Sequence, residues 1–333
     1  MPLTQVQRTT AKVAAALLLF AAGWLARGAY QRLVARESGH LVRAGGFRFI
    51  SPLLDVSLPE GVDVRQEPIP FKREVEGLVG DLTGAGLVGT MAVYYRDLAD
   101  GPWFGINEEM RFSAASLMKV PVMVLWMKRA ERDPAVLRRR MVFDERTYAG
   151  PPQATPPGKT LEDGVSYPVE ELLERMLRYS DNRAAGLLFA DLRSEEIEEV
   201  LTSMDARSEA GPQGNLVSAH GYSGFLRILY NAAYLNKAMS ERALELLSHE
   251  DFPLGIVAGV PPGVVVASKF GEEVGPSSVE LHEFGIVYHP RGPYLLGVMT
   301  RGRELARQAE AIRRVSAAVY AAVDSATPLR PAR

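Results

Sequence analysis

The chain has 333 residues, a formal net charge of −2, 47% hydrophobic and 23% charged residues, and no cysteine. That is ordinary composition for one large globular domain or two small ones, and its near-neutral balance gives no pull toward nucleic acid. The lack of cysteine excludes disulfides, thiolate metal sites, a cysteine nucleophile and a lipid-modified cysteine anchor.

Residues 1–30 read differently from the rest. Arg8 and Lys12 precede an uncharged run, Val13 to Ala26. The run is shorter than the about 20 residues of a membrane span and suits a signal-peptide core or a short signal-anchor. A buried core helix is the alternative. Ala26-Arg27-Gly28 is a small-x-small cleavage candidate. The segment predicts an exported, extracytoplasmic protein, secreted or held at the membrane by its N-terminus. Arg27, Arg32 and Arg36 follow the run, so charge does not fix its orientation. Residues 31–70, punctuated by Gly45-Gly46, Pro52, Pro59, Gly61, Pro68 and Pro70, read as a tether with one ordered patch around Phe47 to Leu54.

Helical spacing of Val75, Leu78, Val79 and Leu82 predicts a helix over Phe71 to Leu82. Met91 to Tyr95 and Pro102 to Ile106 read as strands around an Asp100-Gly101 turn. Ser113 to Arg129 reads as a long buried helix, with Pro121 tolerated near its start. Met118, Met123, Trp126 and Met127 on it are read as core. Leu161 to Arg178 and Arg183 to Leu192 suggest helices around a polar break at Tyr179 to Asn182. Ser223 to Leu235 and Ser240 to Leu247 look helical. Val264 to Lys269, Leu281 to Tyr288 and Tyr294 to Met299 are strand candidates, and Arg303 to Val323 is an amphipathic helix. Strands at both ends with helices between predict an α+β domain over 71–325. One antiparallel sheet is built from 71–115 and 260–325, and a helical lobe from 116–259, with a tail at 326–333. A site is expected in the cleft between sheet and lobe.

Three short motifs carry chemistry. In Ser116-Leu117-Met118-Lys119, positions i and i+3 share a helix face, so the Ser116 hydroxyl faces the Lys119 amine. A serine hydroxyl needs a nearby base, and a lysine can be one if burial and a neighbouring cation lower its pKa. Ser180-Asp181-Asn182 falls in the polar break. There Ser180 could pass a proton to a leaving group, and Asn182 could hold Lys119 and a substrate amide. Ser268-Lys269-Phe270-Gly271 ends a β-branched run. Lys269 would place a cation beside Ser180 and a substrate carboxylate, and Gly271 would let substrate lie flat on the strand. The backbone N–H groups of Ser116 and Glu272 would form an oxyanion hole. Taken singly, the motifs read as an ordinary helix, a helix cap and a strand ending in a turn.

Taken together, their order and contexts match the S-x-x-K, S-D-N and K-T-G set of class A β-lactamases and penicillin-binding DD-peptidases. Phe112 to Pro121 resembles that superfamily's nucleophile helix, and Gly285 to Tyr288 with Val298 to Thr300 resembles its last two strands. The resemblance covers residues 71 to 323. It implies a DD-peptidase/β-lactamase-like fold, with a five-stranded antiparallel sheet flanked by terminal helices and an all-α lobe. It implies an acyl-enzyme on Ser116, formed from a small-molecule β-lactam or a D-Ala-D-Ala-type peptidoglycan peptide, with no cofactor and no metal.

Two departures bear on function. Phe270 stands where the superfamily usually has a hydroxyl, and an aromatic ring cannot donate to a substrate carboxylate. No E-x-x-L-N motif, whose glutamate frees the acyl-enzyme in class A enzymes, occurs between Asn182 and Ser268. Met204 to Val217 stands in for that loop, with Glu209 and Asn215 as its faint echo. Slow deacylation is therefore expected. The alternatives are a DD-carboxypeptidase or esterase without a β-lactam role, and a catalytically silent envelope binding module. None of the five histidines has metal spacing. His282 or Glu283 could face the site, or else the sheet surface, and His220-Gly221-Tyr222 could line the cleft.

Overall fold

Three strands near the C-terminus and two near residue 90 form one sheet. In this computed structural model, which describes residues 40–57, 69–99, 101–148, 150, 153–203, 209–211, 214–275 and 278–326, these are β3 (Thr90–Asp97), β4 (Trp103–Ile106), β10 (Val266–Val274), β11 (Val279–Val287) and β12 (Tyr294–Gly302). They pair antiparallel in the order β10-β11-β12-β3-β4. Side chains alternate across a strand. Met91, Val93 and Tyr95 thus join one core with Val75 and Val79 of α1 (Lys72–Gly84) and Ile312, Val315 and Val319 of α9 (Leu305–Ser325). Ala92 and Tyr94 point the other way, into the helical lobe. Both faces are covered, which is why these strands read as nearly continuous apolar runs.

The lobe is built around α2 (Lys119–Arg132), whose residues Lys119 to Met127 are all buried. Around it pack α4 (Val169–Arg178), α5 (Asn182–Ala190), α6 (Ser194–Ser203) and α8 (Lys237–Leu247). The helix expected from Ser113 to Arg129 is divided in three. Arg111–Ser113 is a strand, β5, Ala115–Met118 is a 3₁₀ turn, and the α-helix begins at Lys119. The break has a local cause: Ala115 adopts φ +46°, a left-handed conformation that a regular helix does not contain. Pro121 then falls in the first turn of α2, where its missing N–H costs least.

The helix expected over Leu161 to Arg178 starts only at Val169. The residues before it form β7 (Ser166–Pro168), paired with β6 (Arg140–Val142). A short helix, α3 (Glu145–Tyr148), follows β6, and α6 has no counterpart in the sequence reading. Where the lobe was expected to be all helical, it carries a second ribbon, β8 (Glu209–Gly211) on β9 (Gly214–Ser218) on β5. Glu209 and Asn215 lie on that ribbon, and their side chains are outside what is described. Helix α7 (Ala219–Tyr230) follows.

Contacts divide the chain into two units, Met1–Arg43 with Leu53–Arg65, and Ala44–Pro52 with Gln66–Arg333. The described part of the first is an antiparallel hairpin, β1 (His40–Arg43) and β2 (Leu53–Ser57). In the second, Ala44–Pro52 falls largely on the ordered patch expected around Phe47 to Leu54 and is packed: Phe49 and Ile50 are buried. The N–H groups of Arg48, Phe49 and Ile50 all donate to the Glu241 carboxylate at 2.8–3.1 Å. The apolar run from Val13 to Ala26 lies outside the described residues. Among those described, no helix is long and apolar enough to cross a membrane.

Candidate active site

The 3₁₀ turn and the start of α2 place Ser116 Oγ 3.0 Å from Lys119 Nζ. The same amine is 3.0 Å from Ser180 Oγ, 2.5 Å from the Ser180 carbonyl and 2.8 Å from Asn182 Oδ1. Four partners meet one nitrogen, and their chemistry sorts them. The Ser180 carbonyl and Asn182 Oδ1 can only accept, so they take the two N–H groups of a neutral amine. The remaining lone pair faces the two serine hydroxyls. Burial first, and the charge of Lys269 second, hold the Lys119 pKa well below that of an ordinary lysine, against the opposing pull of Asp181, Glu272 and Glu250. The arrangement fits an amine that takes the Ser116 proton.

The backbone around this point is strained and braced. Ala115 and Ser180 both have positive φ, +46° and +52°. Each conformation costs energy and persists only where its surroundings over-determine it. The braces are visible. Tyr222 is fully buried and its hydroxyl donates to the Leu117 carbonyl at 2.9 Å. Ser113, just before the turn, donates its N–H to Glu280 at 2.8 Å and its hydroxyl to Glu273. Gln153 donates to the Ser180 carbonyl at 2.8 Å and accepts from the Asn182 N–H at 3.1 Å. Asp181 caps α5 by accepting from the Arg183 N–H.

The opposite wall is the free edge of β10. The Phe270 N–H points off this edge, donating to Glu250 at 2.8 Å. By the two-residue period of a strand, the Glu272 N–H points off the same edge. Gly271 lies between them against the nucleophile turn. A Cβ there would come within 3.0 Å of Leu117 N and 3.3 Å of Ser116 N. Only glycine permits this approach, and it brings the Ser116 and Glu272 amides to one side of the cleft. The Glu272 carboxylate accepts from the Thr155 N–H at 2.7 Å and the Thr155 hydroxyl at 2.6 Å. The segment holding Gln153 and Thr155 therefore bonds to both walls.

Lys269 has a partner that the motif alone did not foretell. Its ammonium is fully buried, 2.6 Å from Glu250, and lies 4.1 Å from the Phe270 ring centroid. Burial pulls its pKa below the ordinary lysine value while Glu250 pulls it up. Glu250 also accepts from Ser268 Oγ at 2.9 Å. The Phe270 ring turns out of the cleft, stacked 4.2 Å from Phe252 in the core beneath the terminal helices.

His282 and Glu283 are both buried inside the sheet layers, not at a surface. His282 packs edge-on against Phe112 and sits 3.3 Å from Glu280. Glu283 accepts from the Ile256 N–H at 2.7 Å, and burial, then the nearby Glu250 charge, push its pKa up to about 8. His220 stacks on Trp103 and Tyr94 and bonds to Glu109, leaving only Tyr222 of the His220-Gly221-Tyr222 run among the contacts of the nucleophile turn. A cavity of about 710 Å³ lined by Thr83, Leu87, Arg301 and Arg307 shares no residue with the motifs. Glu250, Gln153, Thr155 and Glu280 were not legible as site residues: none lies in a motif, and their places depend on contacts distant in sequence.

Fold and site together define a serine hydrolase of the β-lactamase fold. Residues 70–323 match the Beta-lactamase enzyme family, and the chain belongs to it. Among the solved structures that share the fold are three at 21% sequence identity. They are a β-lactamase from Sphaerobacter thermophilus (TM-score 0.67, covering 78% of this chain and 99% of that one), a mutant of PBP-A described as an acyl-enzyme complex with penicillin G (0.66, 76% and 97%), and a class A β-lactamase from Mycobacterium abscessus (0.66, 76% and 99%). No curated protein matches the chain.

Proposed function

We propose that this enzyme transfers an acyl group to Ser116 and releases it slowly, acting on a β-lactam, a D-Ala-D-Ala-type amide or an ester. Ser116 Oγ attacks the carbonyl carbon as its proton passes to Lys119. The two amides of Ser116 and Glu272 hold the oxyanion. As the carbon–leaving-group bond breaks, the Ser180 hydroxyl gives its proton to the departing atom and is reprotonated from Lys119. The observation that carries this reading is the Lys119 amine, with both N–H groups engaged by carbonyl acceptors and its pKa depressed by burial.

Slow release follows from what the chain lacks in sequence: no E-x-x-L-N glutamate stands between Asn182 and Ser268 to activate water. The test is intact-protein mass spectrometry over time with penicillin G and with an activated aryl ester. A persistent adduct, from the ester at least, that disappears in Ser116→Ala is expected. Labelling that survives in Ser116→Ala, or rapid repeated turnover, sinks the assignment or the slow step respectively. The second reading, a binding module without turnover, draws its support from Phe270, and absence of any adduct would favour it.

The same proposal places the enzyme outside the cytoplasmic membrane, anchored or released by residues 1–30. Its support is the basic-then-apolar order of that segment. A reporter fused after Arg333 that is active only in the cytoplasm would contradict it.

A further inference from the structure

We infer that, of the donors just named, the site favours those uncharged on the leaving side, an ester or amide without a free carboxylate there, over penicillin G and D-Ala-D-Ala-type amides, which carry one. This rests on the acyl-transfer reading above. The leaving group departs toward Ser180, whose hydroxyl lies beside Lys119. The charges that bear most on Lys119 are a cation, Lys269, and the carboxyl groups of Asp181, Glu272 and Glu250. That cation is cancelled at source. Lys269 is buried, ion-paired with Glu250 at 2.6 Å and shielded by the Phe270 ring. Glu250 thus holds the ammonium that a substrate carboxylate would need.

The two other donors a carboxylate could use along this edge are also committed. The Phe270 N–H goes to Glu250, and so does the Ser268 hydroxyl. Phe270 itself offers an apolar ring turned away from the cleft, stacked on Phe252. Glu272 adds a half-buried carboxylate beside the proposed oxyanion amide, fixed by Thr155. An anion arriving at this edge meets carboxylates with no unpaired cation among these groups, in a medium where charges are poorly screened.

The experiment compares 3-acetoxybenzoate with its methyl ester, a matched pair whose leaving phenol carries a carboxylate in one case and none in the other. Acylation of Ser116 is followed by phenol release and by mass spectrometry, each rate normalised to hydroxide hydrolysis of the same compound. The methyl ester is expected to acylate about tenfold faster or more. Glu272→Gln should lower that ratio, because it removes one of the repelling charges, and the ratio is internally controlled against any loss of folded protein. Equal rates, a faster free acid, or a ratio that does not fall in Glu272→Gln overturns the inference while leaving Ser116 acylation standing. If neither compound acylates Ser116, both the inference and the acyl-transfer reading fail.

Discussion

Lys119 and Lys269 are both buried and both hydrogen-bonded, yet their partners differ in kind. Lys119 is held by carbonyl and hydroxyl oxygens that carry no formal charge. Lys269 is held by a carboxylate. Neutral acceptors fix an amine without charging it, so Lys119 is left as a base. A carboxylate stabilises the ammonium, so Lys269 is kept as a cation whose field is spent at home. The motifs cast Lys119 as a base and Lys269 as a cation for a substrate carboxylate, and their surroundings suit the first to proton transfer but tie the second into an internal ion pair.

The sharpest way to break this contrast is to remove the base. Lys119→Ala should slow acylation of Ser116 at saturating substrate by about 10² to 10⁴-fold, the usual value of general-base help. In the unmutated enzyme the acylation rate should rise with pH as Lys119 loses its proton. The midpoint should lie well below the 10.5 of an ordinary lysine. A midpoint near 10.5 in single-turnover measurements would remove Lys119 from the role.

The ion pair answers to stability rather than rate. Glu250→Gln leaves a buried, uncompensated cation and should cost about 3–5 kcal/mol, read from denaturant unfolding. Adding Lys269→Met should restore most of that loss. A double variant as unstable as the single one would mean that Glu250 matters for something other than Lys269.

Glu283 tests the same electrostatics through pH. Its folded pKa, about 8, lies above the ordinary 4.5. Between those values the folded carboxyl keeps its proton while the unfolded chain has lost it. Stability should therefore fall as pH rises across that window, by up to about 1.4 kcal/mol per unit. Glu283→Gln should flatten the slope, and an unchanged slope would assign it elsewhere. The smallest effect expected is Tyr222→Phe, which removes one buried hydrogen bond to Leu117 and should cost about 0.5–1.5 kcal/mol. Loss of acylation without loss of stability in that variant would show that Tyr222 tunes the nucleophile rather than bracing it.

Local spacing explains what could be read before the structure. Ser116 and Lys119 meet because residues three apart on a helical turn face one another, and the five strands announce themselves through apolar runs buried on both sides. The division of the nucleophile helix was not legible, because Ala115 has no side-chain feature that marks a left-handed φ. Gln153 and Thr155 sit in a proline-rich stretch with no periodicity to read. Glu250 follows a helix end and looks like a solvated residue until tertiary contact brings Lys269, Ser268 and Phe270 around it. Phe270 reads as a lost hydroxyl in the motif, yet strand alternation sends the ring to the opposite layer.

The clamp at Glu241 bears on where this protein can be cut. The region shared with relatives begins at residue 70, but three peptide N–H groups from residues 48–50 converge on one carboxylate of the lobe. Phe49 packs edge-on against Tyr288, whose hydroxyl donates to the Phe49 carbonyl. A polypeptide started at residue 70 would strip Glu241 of these donors and bare the seat of two apolar side chains. Inheritance and packing thus draw different borders, since the packed unit takes in residues 44–52, ahead of the stretch matched as a family.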